Sequence, residues 1–437
     1  MKIVIAGGGF GGLRLARKLN NKRGVEVLLV DRFNYHQFQP LFYQVATAGL
    51  DASNISFPLR KVFQKSTNVR LRMADIYRVE PEQKKLVTDI GDISYDKLVI
   101  ATGAGTNFFG NKELETHAFS MKSTVEALQI RHRLMENLEQ ATVEKDPQEI
   151  ERLMNIAVVG GGPTGVELSG ALAEMKNYVL PKDYPELDFS KMTIYLLEGS
   201  GKLLGAMSEK SSVQATGYLN RLGVTVRTNT QVASYDGKTL TNKDGSQIQT
   251  ATVLWAAGIK GHVPEGITKV ETVRGNRLPV NQFNLLEPYQ DIYAIGDVAS
   301  MVTTEYPHGH PQVAPVAIQQ ADNLASNLLA ELAGKPTHAF SYRDKGSMAT
   351  VGRNLAVVDM PKPKLHFGGF LAWLVWMALH LMLILGVKNR LFVFLNWVYN
   401  YVTYDQSLRL IFREFHRPSD EQPPVLQARK FMEGEKV

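Results

Sequence analysis

Two stretches of this chain repeat one design: a short β-branched run that breaks into glycines spaced G-x-G-x-x-G. The first is Ile3-Val4-Ile5-Ala6 followed by Gly7, Gly9 and Gly12. The second, roughly 150 residues on, is Ile156-Ala157-Val158-Val159 followed by Gly160, Gly162 and Gly165. Each run reads as a parallel strand, and each glycine cluster opens a helical pattern. The N-terminus of such a helix presents unpaired N–H groups and the positive end of its dipole, and glycines let a pyrophosphate approach that backbone closely. Two such units imply an α/β fold with two Rossmann-like dinucleotide-binding domains, helices covering both faces of parallel sheets. Two dinucleotides on one chain suit an enzyme that passes electrons from one to the other.

Each copy is followed by an acid at the end of the next β-rich run. Asp31 ends Val27-Leu28-Leu29-Val30, and Glu198 ends Ile194-Tyr195-Leu196-Leu197. A carboxylate there accepts hydrogen bonds from adenosine ribose hydroxyls. At Glu198 it also repels a 2′-phosphate, which favours NADH over NADPH. Glu167, two residues past Gly165, has two readings: an ordinary first-turn acid favoured by the helix dipole, or a contact to the nicotinamide. Between the copies, 98–101 reads as a strand ending in Thr102-Gly103, and a charged helical stretch spans roughly 123–153. The strand–helix pattern then repeats and closes at 253–258. A buried strand at 291–295 runs into Gly296-Asp297; it is expected to return to the first domain, so that the second is inserted within it.

The chain has no cysteine. A disulfide framework is thereby excluded, and so is any reductase chemistry that relays electrons through a thiol pair. Its net charge of +6 is unevenly placed. Between 361 and 417, Lys362, Lys364, Lys388, Arg390, Arg409, Arg413 and Arg417 outnumber Asp405 and Glu414, beside the most apolar part of the chain. That pattern favours an anionic membrane surface, and no nucleic-acid module is visible. Residues 367–387 hold one titratable side chain, His380, and a second apolar stretch at 391–402 carries Trp397, Tyr399 and Tyr401. This tail has three readings: a spanning helix, helices lying in the membrane surface, or a buried core or dimer-contact helix. Its robust part, 370–385, is about 16 residues or roughly 24 Å, short of a ~30 Å hydrocarbon core. Flanking Lys and Arg, with Trp373, Trp376 and Trp397 as interface anchors, fit the surface reading best. Met1-Lys2 leads straight into the first strand, leaving no room for a signal peptide, so the N-terminal domain is expected to stay on the side where it was made.

Ala101-Thr102-Gly103 and Gly296-Asp297-Val298-Ala299 resemble the ATG and GD signatures of two-dinucleotide-binding flavoproteins, in which the first domain holds FAD and the second NAD(P)H. Within that superfamily the chain resembles the type II NADH dehydrogenases, single-subunit NADH:quinone oxidoreductases. The likeness runs from residue 1 to about 415 and rests on FNYHQFQPLFYQVATAGL, APVAIQQA, YRDKGSMATVGRN and AWLVWMALHLMLILGVKNR. It implies boundaries at 1–112 and 276–338 for the two parts of the FAD domain, 113–275 for a linker helix and the NADH domain, and 339–437 for a C-terminal amphipathic-helix membrane-anchoring region. For FAD it implies Gly7, Gly9, Phe10, Gly12, Asp31, Arg32, Gln44, Ile76, Ala101, Thr102, Gly103, Gly296, Asp297 on the ribitol, and Ala317. For NADH it implies Gly160, Gly162, Thr164, Gly165, Glu198 and Gly258. The family's quinone motif reads Ala-Gln-x-Ala-x-Gln; here Ala314, Ala317 and Gln319 match, while Pro315 replaces the first Gln. Lys345 has two readings: a surface lysine in the turn before Gly346, or, by the resemblance, a lysine near flavin and quinone, where a cation would stabilise the anionic reduced flavin. A second acid common four residues after Glu167 is here Ala171.

The resemblance thus implies hydride transfer from NADH to FAD and two-electron reduction of a membrane quinone, with Glu167, Gln319 and Lys345 as the reacting set. It also implies a monotopic homodimer on the cytoplasmic side of the inner membrane. With no bundle of spanning helices, no proton pumping is expected. Two other readings are a soluble NADH-dependent reductase with a protein or oxygen acceptor, and a membrane-attached NADH sensor with a structural FAD. Sulfide:quinone reductases share the architecture but depend on cysteines.

Overall fold

The computed structural model describes residues 1–411. Arg413, Glu414 and Arg417, counted above in the tail's charge, lie outside the described residues. The chain begins with β1 (Lys2–Ala6), α1 (Phe10–Leu19), β2 (Glu26–Asp31), the short helix α2 (Phe42–Ala46), β3 (Val69–Met73) and β4 (Lys97–Ile100). A long helix, α3 (Thr124–Val143), leads to β5 (Ile156–Val159), α4 (Pro163–Tyr178), β6 (Ile194–Leu197), β7 (Val224–Arg227) and β8 (Thr252–Trp255). Then come β9 (Ile292–Ala294) and α5 (Ala314–Leu332). An antiparallel sheet follows, β10 (Ser347–Gly352), β11 (Leu355–Pro361) and β12 (Lys364–Gly368), before the tail helices α6 (Phe370–Leu383) and α7 (Val387–Thr403).

The two main sheets are parallel, in the orders β9-β4-β1-β2-β3 and β7-β6-β5-β8. Residues 3–6 of β1 and all of β5 are buried, as β-branched runs covered on both faces should be. The pairing of Ile292 with Leu98 and Ala294 with Ile100 brings β9 back into the first sheet, with the whole second sheet inserted before it. In each sheet the fingerprint strand lies between neighbours reached in opposite directions, the switch point where open α/β sheets leave a crevice.

Helix starts differ in a telling way. Ser123 caps α3, its Oγ accepting from Glu126 N at 3.1 Å, while the Glu126 carboxylate accepts from Lys122 N at 2.7 Å. At α1 and α4, Gly9 and Gly162 occupy the cap position and no side chain bonds the first N–H groups. Those donors are left for a ligand.

The tail helices are amphipathic in the inverted sense. Ala372 and Trp376 of α6, with Val393 and Trp397 of α7, are buried against the body. The polar stripe of α7 also turns inward: Asn389 Nδ2 donates to the carbonyls of Ser53, Asn54 and Ser56 (3.0–3.2 Å), and Asn400 Nδ2 to that of Gly49 at 2.9 Å. Leu371, Leu374, Met382, Leu383, Leu391, Phe394, Leu395 and Val402 point outward, the last 73% exposed. His380 turns inward as well, stacked on Trp376 at 3.9 Å and donating from Nδ1 to the Trp376 carbonyl; burial pushes its pKa down to about 4, so it is neutral. At 14 residues α6 is roughly 21 Å long, and no helix among the described residues is long and apolar enough to cross a membrane. The spanning reading therefore fails on length, and the open outer face rules out burial within this chain's own core, leaving the surface and dimer-contact readings.

Candidate active site

The two fingerprints share one geometry. Gly7 and Gly160 have φ of +111° and +112°, and a Cβ on either would strike the backbone of the last strand's turn, at Ala101 O (2.3 Å) or Ala256 C (2.6 Å). A Cβ at Gly12 or Gly165 would lie 1.8 or 1.9 Å from the Gly7 or Gly160 carbonyl, so these glycines let helix pack on strand. The middle glycines are different: a Cβ at Gly9 or Gly162 would meet nothing within 4 Å. That open space, in front of uncapped N–H groups, fits a pyrophosphate in each copy. The acids are held alike. Asp31 accepts from Gly8 N at 2.5 Å and Phe33 N at 2.7 Å; Glu198 accepts from Gly161 N at 2.6 Å and Ser200 N at 2.7 Å. Burial pushes the Asp31 carboxyl up, and these two N–H groups pull it back.

Around the first site the remaining residues fall as follows. Phe10 sits edge-on to His36 and Phe38, and His36 reaches the Gly8 carbonyl at 3.1 Å. Thr102 Oγ1 donates to the His262 carbonyl, and Gly103 has φ of +70°. Arg32 lies exposed beside Asp75 at 3.4 Å, and Ile76 packs on the apolar cluster under the sheet edge. Asp297 is the group most suited to a ligand. Burial pushes its carboxyl up, Lys122 and Arg277 oppose the shift, and no described protein group hydrogen-bonds its side-chain oxygens. A buried acceptor of this kind matches sugar hydroxyls, as FAD ribitol would supply.

Its support involves two glutamines that the sequence reading missed. Gln320 Oε1 accepts from Gly296 N at 2.7 Å, and Gln312 Nε2 donates to the Asp297 carbonyl at 2.8 Å. Gln319, one residue away and on another face of α5, is spent elsewhere: its amide donates to the Arg343 carbonyl and accepts the Arg343 N–H, both at 3.0 Å. Lys345 follows two residues later, exposed. Pro315 occupies the first turn of α5, where its missing N–H costs nothing. Ala317 is buried, 3.2 Å from where a Cβ on Gly296 would lie. In the second site Thr164 is exposed at the start of α4, and Gly258 lies under the Phe109 ring.

Glu167 sits elsewhere from Gln319 and Lys345, in a cavity of about 120 Å³ between α4, α2 and the inner face of the tail helices. Glu167, Ala171 and Glu174 line it from one face of α4. Tyr43 and Gln44 line it from α2, and Trp376, Trp397 and Asn400 from the tail. Burial pushes the Glu167 carboxyl up to about 8, weakly opposed by the Thr350 N–H at 3.4 Å. The Trp376 indole N–H lies close enough to oppose that rise slightly but short of hydrogen-bond geometry, and it has no other partner. Gln44, assigned to FAD by resemblance, accepts from Trp397 Nε1 at 2.7 Å and donates to the Tyr43 hydroxyl at 2.8 Å. Tyr43 and Glu174 were not singled out from the sequence, Glu174 leaving one signal in its place two helical turns after Glu167; Trp376 and Trp397, expected as interface anchors, are instead buried against the body.

Fold and site together define a protein that brings two dinucleotides together, with a carboxyl group buried against a tail whose outer face is open and apolar. The pyridine nucleotide-disulphide oxidoreductase family model matches residues 1–321, and the NDH2 C-terminal domain model matches 345–403. A type II NADH:quinone oxidoreductase of Mycobacterium tuberculosis is 34% identical over 417 residues, covering 92% of this chain and 88% of the relative. One from Haemophilus influenzae is 32% identical, covering 81% and 86%. Among solved structures, NDH2 from Plasmodium falciparum in complex with NADH superposes with a TM-score of 0.83 at 21% identity, over 94% of this chain and 99% of that one. The sulfide:quinone oxidoreductase of Aquifex aeolicus gives 0.69 at 20% identity, over 89% and 92%. The chain belongs to the pyridine nucleotide-disulphide oxidoreductase family and, within it, to the type II NADH:quinone oxidoreductases. Disulphide chemistry, despite the family's name, is ruled out by the absence of cysteine.

Proposed function

We propose that this chain oxidises NADH and hands the electron pair to a membrane quinone, without moving protons across the bilayer. The observation that carries this reading is the Glu167 cavity: one space bounded by the helix that starts at the second fingerprint and by the inner face of a tail whose outer face is open and apolar. FAD, held at the first fingerprint, supplies the two-electron carrier between donor and acceptor. Asp31 and Asp297 would hold its sugar hydroxyls, and the free N–H groups of α1 its pyrophosphate. Glu198 would select NADH. Glu167, protonated near neutral pH, would hold a proton close to where the acceptor is reduced, while the surrounding tryptophans exclude bulk water. Gln319 and Lys345 would act from the α5 side, Gln319 by clamping the 343–346 strap through Arg343.

The outward leucines and phenylalanines of α6 and α7, flanked by Lys388 and Arg390, support docking on an anionic bilayer surface, with quinone entering from the lipid beneath the tail. The anionic character of the cytoplasmic leaflet favours that side of the inner membrane, and the family likeness favours a homodimer. The test is an anaerobic NADH titration of the FAD-loaded protein in liposomes, followed at about 450 nm, and then addition of menaquinone or ubiquinone analogues. Bleaching by NADH and recovery with quinone are expected; a flavin that NADH does not bleach, or that quinone does not restore, would refute the proposal.

A further inference from the structure

Oxidation of NADH by a quinone needs one proton from outside. The hydride carries two electrons and one proton, whereas reducing a quinone to a quinol takes two electrons and two protons. We propose that this proton enters through Glu174 at the mouth of the cavity and passes by way of the Tyr43 hydroxyl and cavity water to Glu167. The inference rests on the quinone-reductase reading above.

A hydrogen-bond chain fixes how the Tyr43 hydroxyl can take part. An indole N–H only donates, so the oxygen of Gln44 faces Trp397 and its NH₂ faces Tyr43. The Tyr43 oxygen is therefore an acceptor towards Gln44, and its own O–H is left to donate into the cavity. Both carboxylates act on that hydroxyl: burial pushes its pKa up, and Glu167 and then Glu174 add to the rise. Tyr43 is thus coupled to both acids. The carboxylates are seven residues apart on one helix face, roughly 10 Å, too far for direct transfer. Ala171 between them leaves the space open, and a cavity of about 120 Å³ has room for several waters.

Glu174 is not an ion-pair anchor, although an arginine lies beside it. Its Oε1 accepts the Arg353 main-chain N–H. The Arg353 guanidinium is committed to the last carbonyls of α7, at Tyr401 (2.9 Å) and Asn400 (2.6 Å), and lies over the Tyr404 ring. No cation among the described residues lies within ion-pair distance of Glu174, and its second oxygen has no described protein partner. The titratable groups around it are Glu167 and Tyr178 from its own helix, Tyr43 from α2, Arg353 from the β10–β11 turn, and Tyr401, Tyr404 and Asp405 from the end of the tail. The last three bring the cavity to the surface.

The experiment uses liposome-bound, FAD-loaded protein and reads flavin bleaching by NADH separately from recovery with a short-chain quinone, over about pH 6 to 9, in H₂O and D₂O. Glu174→Gln should slow recovery about tenfold at the alkaline end, with a smaller loss at the acid end and an enlarged solvent isotope effect, while bleaching changes less than about twofold. Glu174→Asp should restore most of the loss. Equal losses in both steps at every pH, or no rescue by Asp, would overturn the route. Should Glu174→Gln fail to retain FAD, Tyr43→Phe carries the same expectation, and recovery with the wild-type pH profile in that variant would equally refute it. Failure of the underlying reading looks different, since the wild-type flavin itself would then not recover with quinone.

Discussion

Glu167 ties stability to pH in a direction opposite to most acids, and Glu167→Gln isolates the effect. Its carboxyl titrates near 8 in the folded chain against an ordinary value of 4.5. A group whose folded value is raised binds more protons folded than unfolded between those two values. Its contribution is therefore complete below about pH 4.5 and is lost as pH climbs towards and through 8. At 1.36 kcal/mol per pH unit, the full penalty for keeping the charged form buried approaches about 5 kcal/mol. Between pH 6 and 9 the wild type should lose about 3 kcal/mol that Glu167→Gln, neutral and nearly isosteric, does not lose. With an unfolding entropy of about 2.1 cal/mol/K per residue, a chain of 437 residues converts that into about 3 °C.

The assay is thermal unfolding of FAD-saturated wild type and variant at matched ionic strength across that range. The variant's melting temperature should rise relative to wild type by about 3 °C from the acid to the alkaline end. Parallel curves would show that Glu167 is not buried and protonated as described, and with that its role as a proton holder would fall. The same titration predicts that wild-type quinone reduction declines above about pH 8, since about nine-tenths of Glu167 is protonated at pH 7 and only about a tenth at pH 9.

The fingerprint glycines give a paired test. Gly12→Ala should cost at least about 3 kcal/mol, because its Cβ would sit 1.8 Å from the Gly7 carbonyl, whereas Gly9→Ala should leave melting of the FAD-free protein nearly unchanged and weaken FAD binding at least about tenfold. Equilibrium dialysis with FAD separates the two outcomes. Glu198→Gln should narrow the NADH-over-NADPH preference in kcat/KM by about tenfold; an unchanged ratio would show that this carboxylate does not read the ribose. Leu374→Glu with Leu395→Glu should abolish liposome co-sedimentation while flavin content and NADH-to-dye transfer persist. Deleting everything after 367 is a poorer experiment, because it also strips Trp376 and Trp397 from the core.

What was legible in the chain was whatever depends on local pattern. The doubled glycine spacing, the acids at the ends of the second strands, and the apolar tail each state their chemistry within one continuous stretch of chain. What was illegible depends on rotation about a helix or on docking over long separations. Gln319 and Gln320 are chemically identical, yet one residue turns a side chain about 100°, so that one supports Gly296 and the other holds Arg343. Composition marked the tail as apolar, but only packing shows that Asn389 and Asn400 face in while Leu374 and Leu395 face out. The reach of that docking is clearest at Gln44, which resemblance assigned to the cofactor. Its partner Trp397 lies 353 residues away, and the bond between them fixes the Gln44 amide so that its NH₂ donates to the Tyr43 hydroxyl. The tail is therefore more than an outward apolar surface. It closes the cavity beside α4 and holds the Gln44–Tyr43 pair inside it, so that on the proposed route Trp397→Phe should slow flavin recovery with quinone without removing any group that titrates.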